Sequence, residues 1–232
     1  MPEALPRFSL FGPAHLTALA ATALLAISVS RLVRARRQSR FGSAVRYGLA
    51  ASLIGLVAFE VSMAVQGGWA KPEYLLPLHL CDAAMLLAIY TLLAPSQRAA
   101  ELLYFWAGAA TTVAMLTPDV TLGFPRWEFL VFFGLHGLVV VAAATLTFGL
   151  GLAPGPGAPG RAFLATVVYA AFVGVVDAVG GFNFMFLRAK PDTPTLLDFM
   201  GPWPVYVVVG AVIALGLFQL LALPFRPASP AP

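Results

Sequence analysis

Charged residues are scarce in this chain. Only 10% of its 232 residues are Asp, Glu, Lys or Arg, against 60% hydrophobic residues and a mean hydropathy of +0.87. A soluble domain carries about 25% charged residues, so a water-soluble globule is excluded and the solvent must be lipid. Cysteine is nearly absent. Cys81 stands alone, which rules out an internal disulfide. There is no HExxH and no paired CxxC spacing, so the common zinc signatures are missing. No internal repeat is visible, which gives no support to an inverted-repeat transporter. The N-terminus has Pro2, Glu3 and Pro6 where a cleavable signal has basic residues, so the first apolar run is expected to remain as a span.

What the chain does contain is seven long apolar runs: residues 15–33, 45–66, 76–94, 100–117, 127–150, 162–182 and 203–223. Each is near the roughly 20 residues needed to cross a bilayer as a helix. They are continuous rather than alternating, which selects helices over a closed barrel. The breakers agree: Gly67 and Gly68 close the second run, Pro77 sits at the start of the third, Pro118 ends the fourth, and APGPGAPG (153–160) is a linker. The reading is one all-α integral membrane domain over residues 1–232 with about seven transmembrane helices, multi-pass in the cell membrane. The connections 117–128 and 183–206 are more elaborate than simple loops. Within the second, Leu196–Met200 is expected to form a short interfacial helix or a lid.

Charge sets the orientation. Arg31, Arg34, Arg36, Arg37, Arg40, Arg46, Arg98, Arg161 and Arg226 fall on one side; Arg7, Lys71, Arg126, Arg188 and Lys190 fall on the other. The positive-inside rule places the first set in the cytoplasm, the N-terminus outside and the C-terminus inside. The cluster Arg31, Arg34, Arg36, Arg37 and Arg40 reads as a topology anchor in contact with anionic lipids, not as a nucleic-acid patch.

Ionisable groups inside spans are costly and are functional candidates by default. They are Glu60, His79, Cys81, Asp82, His136 and Asp177, with His15 at the start of the first span. At about 1.5 Å per residue, the first six all lie roughly 5 to 15 Å below the outer surface. The pattern predicts a polar cavity in the outer half and an inner half almost free of such groups. His79 and Asp82 are three apart and share a helix face, so an Asp82-oriented imidazole is expected. His79 and Cys81 face apart, which leaves His136 as the natural base for Cys81. A Cys–His pair is the minimum for nucleophilic acyl transfer, with Asn183 and Trp203 as candidate oxyanion donors. His15 reads as an interfacial residue. The same His, Cys and carboxylate groups also admit a metal, but without a recognised ligand spacing none is expected, nor any other cofactor.

The stretches LPLHLCDAAMLLAIY (76–90), LTPDV and FPRWEFLVFFGLHG (within 116–137), NFMFLRAKPDTPTLLDFMGPWPVY (183–206) and F-x-x-F-G-P-x-H-L (8–16) together resemble the YwaF-like family of bacterial integral membrane proteins. That family is similar to the eukaryotic transmembrane protein 164 group, multi-spanning acyltransferases that remodel ether phospholipids and for which a catalytic cysteine is proposed. Membrane hydrolases of fatty-acid esters of hydroxy fatty acids look like more distant relatives. The resemblance implies Cys81 as nucleophile and His136 as base. It implies His79 and Asp82 as supporting groups, and Lys190, Asp198, Trp203 and Tyr206 in an outer motif that gates the site. The expected function is lipid acyl transfer or ester hydrolysis on a phospholipid or lysolipid. The alternative is a transporter or binding protein for a small polar or amphipathic ligand, with Glu60, Asp82, His136 and Asp177 as ligand or proton sites. A purely structural membrane partner would have no reason to desolvate so many ionisable groups at one level.

Overall fold

The computed structural model describes residues 5–36, 39–191 and 195–226, so Arg37 of the basic cluster lies outside the described residues. Seven apolar helices carry the fold: α1 Pro13–Ala35, α2 Phe41–Gln66, α3 Leu80–Leu93, α4 Gln97–Leu116, α5 Trp127–Gly149, α6 Ala158–Gly180 and α7 Val205–Leu221. Six of these are long and apolar enough to cross a membrane; α3, at 14 residues, is not. The sequence reading of about seven spans is therefore six full-length helices and one short one. No strand forms among the described residues beyond a single antiparallel bridge between Arg7 and Leu122.

The predicted third span, 76–94, differs most from the structure. A single helical turn, Pro72–Leu75, is followed by extended backbone, and the helix starts only at Leu80. At the other end of α3, Arg46 near the start of α2 donates from Nε to the Leu92 carbonyl (2.8 Å) and from Nη2 to that of Leu93 (3.4 Å), where a cation suits both the free carbonyls and the helix dipole. Counting up from that anchor brings Leu80 level with Glu60. Six residues of α2, about 9 Å, continue above it. Residues 76–79 thus dip below the end of α2, and non-helical backbone at such depth must have its polar groups met by protein. Tyr169 of α6 donates its hydroxyl to the Leu78 carbonyl (3.1 Å).

Two helices carry a π-helical turn, Ala107–Thr111 in α4 and Thr145–Gly149 in α5. α5 is the most buried candidate span and α4 the next. Small residues let helices approach around them: a Cβ on Gly137 would lie 2.7 Å from the Thr22 hydroxyl of α1. Near the start of α1 His15 is buried against protein. Its Nε2 lies 2.8 Å from the Met115 carbonyl, and a carbonyl only accepts, so Nε2 carries the proton. Nδ1 is then free to accept the Phe11 N–H (2.9 Å).

At the opposite face Glu101 is a buried ionisable group in α4 that the expectation of an uncharged inner half missed. The predicted span, 100–117, begins one residue before it, while the helix itself starts at Gln97. Its carboxylate accepts from Arg161 Nη2 (2.8 Å), the Gly155 N–H (3.1 Å) and Gln97 Nε2 (3.2 Å), fastening the 153–160 linker to α4 and α6. Glu101→Ala removes the acceptor of the Gly155 N–H and of Arg161 Nη2, while Gln97 Nε2 keeps the Ala153 carbonyl (2.7 Å); a hydrogen bond to a charged group contributes about 2 kcal/mol. The variant is expected to melt at lower temperature in detergent than Glu101→Gln, which keeps an acceptor; equal melting of both would contradict this role.

Candidate functional site

A helix beginning inside the membrane exposes its first four N–H groups where no water meets them. The start of α3 is built around that need. His79 is its N-cap, and the Asp82 carboxylate at the third helical position turns back to accept the His79 N–H (3.2 Å), the carboxylate half of a capping box. The imidazole–carboxylate pair expected from the three-residue spacing is not formed. Asp82 binds the backbone of His79, not its ring. His79 Nδ1 instead accepts the Met185 N–H (3.2 Å), and its ring sits against Phe184 and Phe186. The second position of the helix, Cys81, has no described partner for its N–H.

Glu60 of α2, Cys81 and Asp82 of α3, Thr111 of α4 and His136 of α5 all line one cavity of about 70 Å³, closed by Met85, Phe132, Leu135 and Val139. So four of the six ionisable groups placed at one depth by counting residues come together on one small void. His136 Nδ1 lies 2.8 Å from the Phe132 carbonyl. Because the carbonyl can only accept, Nδ1 carries the proton and Nε2 keeps its lone pair. Among the described residues Nε2 has no hydrogen-bond partner. Stacking on Phe132, with ring centroids 4.1 Å apart, fixes the plane of the ring. His15 and His79 have the opposite tautomer, with Nδ1 accepting.

Thr111 was not visible as a site residue in the sequence, where it is one hydroxyl in an Ala-rich run. It is 1% exposed, and its hydroxyl has no partner among the described residues. It reaches the cavity because the π turn inserts a residue. One extra residue rotates all that follows by about 100° around the helix axis. Trp106 holds that turn in place by donating from Nε1 to the Thr166 hydroxyl of α6 (2.8 Å).

The remaining sequence candidates do not line this cavity. Asp177 is fully buried, and its Oδ1 accepts the Phe184 N–H (2.9 Å). Arg188 Nη1 donates to the Asp177 carbonyl (3.0 Å). Asn183, a candidate oxyanion donor, gives its amide to the Ala189 carbonyl (2.9 Å) and accepts the N–H groups of Arg188 and Ala189. Trp203, the other such candidate, donates to the Leu187 carbonyl (3.0 Å), and Tyr206 donates to that of Phe186. Lys190 lies 3.8 Å from the Asp198 carboxylate and over the Tyr206 ring. These residues fold the connection between α6 and α7 down over the start of α3. His15 sits at the α1–α4 contact. Among the described residues no group of three His, Cys, Asp or Glu side chains is arranged to hold a metal ion.

Asp82 thus has a structural duty separable from any chemistry. Asp82→Ala removes the acceptor of the His79 N–H and is expected to lower stability by about 1 kcal/mol, while Asp82→Asn keeps an acceptor and loses less. Thermal melts of both in detergent check this, and an unchanged Asp82→Ala would show that α3 does not depend on its cap.

The TMEM164 family model matches residues 10–222, the transmembrane protein 164 side of the resemblance read from the sequence. Neither the curated proteins nor the solved structures gave a match.

Proposed function

The chain belongs to the TMEM164 family, and on that premise we propose that it is a multi-pass membrane enzyme that transfers or hydrolyses lipid acyl groups through a thioester on Cys81. The observation that carries this reading is the small cavity shared by Cys81 and His136, with the His136 tautomer set by the Phe132 carbonyl so that Nε2 can accept a proton. In the first step Nε2 takes the thiol proton as Sγ attacks the ester carbonyl of a phospholipid. The carbon–oxygen bond to the glycerol breaks, and the proton passes from His136 to the leaving lysolipid oxygen. A lysolipid hydroxyl or water then attacks the thioester, giving its proton to Nε2, and Sγ leaves as the thiol with that proton. The Cys81 N–H and the Thr111 hydroxyl are the donors available for the oxyanion, replacing Asn183 and Trp203 in that role. Asp82 and His79 hold the helix start that aims Cys81.

Orientation belongs to the same reading. With the positive-inside rule the site lies in the outer leaflet half of the cell membrane, at the depth of acyl ester linkages, and the arginine cluster meets anionic lipid at the cytoplasmic face. The ligand-transport alternative needs a polar continuation through the other half. Below the cavity, the buried residues on α3 and α5 include Ala88, Leu92, Ala142 and Leu146 beside the hydroxyls of Thr91, Thr145 and Thr147, with no ionisable side chain among them on these two helices, which favours access from one side.

The test is acyl transfer by purified protein in liposomes, from a labelled phospholipid to an unlabelled lysolipid. Cys81→Ala is expected to abolish it and His136→Ala to slow it by about 10²–10⁴-fold. Thr111→Val is expected to cost about 100-fold, the scale of one oxyanion donor, with Thr111→Ser restoring most of it. Transfer indifferent to Cys81 would sink the thioester reading and favour ligand transport.

A further inference from the structure

A second cavity, of about 1260 Å³, lies between α4, α6 and α7. It exists because the facing positions are small: Ala109, Ala110 and Ala114 on α4 meet Gly210 and Ala214 on α7. Larger residues close its base, where Phe105 and Phe218 pack with ring centroids 5.2 Å apart. The turn Leu196–Met200 roofs it. Polar lining groups gather at the roof end, namely Thr117, Asp119, Thr121, Thr195 and Asp198. From Thr117 to Trp106 is eleven residues, a depth of about 16 Å.

This cavity and the small polar one share a wall. Leu80 lines the large cavity and its neighbour Cys81 the small one; Ala110 lines the large cavity and its neighbour Thr111 the small one. The wall is therefore one turn of α3 against the π turn of α4. We propose that the large cavity is the binding site for one fatty acyl chain of the lipid substrate, with the ester end at the shared wall beside Cys81, about 9 Å below Thr117, and the chain lying in the apolar shaft. This deepens, and for its catalytic half rests on, the acyl-transfer reading. The apolar lining matches an acyl chain, the polar rim matches a headgroup, and the finite length of the shaft favours some chain lengths over others. A peptide or a polar solute would find no partners along the shaft.

Gly210 provides the probe. A Cβ added there meets nothing within 4 Å, and Gly210 lines the cavity, so a side chain can begin there without a backbone clash. Cys81→Ala protein in phosphatidylcholine liposomes carrying a small fraction of long-chain phosphatidylcholine with a mid-chain diazirine is irradiated, and the crosslinks are mapped. Crosslinks concentrated on residues 109–114 and 210–217, falling several-fold in Gly210→Phe and in Ala214→Leu, are expected. Crosslinks spread over the lipid-facing helices and unchanged by either variant would overturn the site. In the Cys81-intact protein, Gly210→Phe is expected to shift acyl transfer several-fold toward short-chain donors; full activity with an unchanged chain-length preference would also overturn it. An inactive wild type would count against the thioester reading alone, since the crosslinking needs no chemistry at Cys81.

Discussion

Everything in the polar region depends on one constraint: α3 begins about 9 Å beneath the end of α2, where backbone N–H groups have no water to bind. A helix that started at the surface would need none of the surrounding apparatus. Starting low, it requires the His79–Asp82 cap, the Tyr169 hydroxyl on the Leu78 carbonyl, and a folded connection that sets Met185 N–H on His79. Asp177, Arg188, Asn183, Trp203 and Tyr206 are spent on that connection, each satisfying a backbone group of residues 177–189. The buried start of α3 also brings Cys81, whose N–H lies in the first helical turn outside the intrahelical ladder, to the level of Glu60 and His136.

The second organising feature is the π turn of α4. Its extra residue turns Thr111 toward the polar cavity while Ala109 and Ala110 face the apolar one. A regular helix has no such change of register, and π turns recur at functional positions. Together the cap of α3 and the π turn divide the interior into a small polar void and a long apolar one. An enzyme acting on an acyl ester needs both: a place for the carbonyl and a place for the chain.

Much of this was legible in the sequence because helical rise is fixed and the span ends are marked. Gly67 and Gly68, Pro118 and the Trp127 start date the depth of Glu60 and His136 to within a turn, and one level emerges. The recessed start of α3 was not legible, since LPLHL is as apolar as the helix after it and hydropathy does not distinguish extended backbone from helical. The His79–Asp82 spacing correctly announced a contact, but not that the carboxylate would bind backbone in place of the ring. Thr111 gave no pattern, because a π turn answers to tertiary packing against Thr166, about 60 residues away in sequence. The large cavity is hidden for a related reason: it comes from small residues on two helices about 100 positions apart. Glu101 escaped notice because helix boundaries read from composition err by a few residues.

The central claim is that Cys81 carries the acyl group, and the chain's single cysteine makes that directly measurable. Purified protein in phosphatidylcholine liposomes, quenched in acid and weighed intact by mass spectrometry, should show a fraction heavier by one fatty acyl group. The added mass should vanish on treatment with neutral hydroxylamine and map to the peptide containing Cys81. It should form about 10²–10⁴-fold more slowly in His136→Ala. An active protein with no such adduct, even when the lysolipid acceptor is withheld, or an adduct on any other residue, would contradict the account.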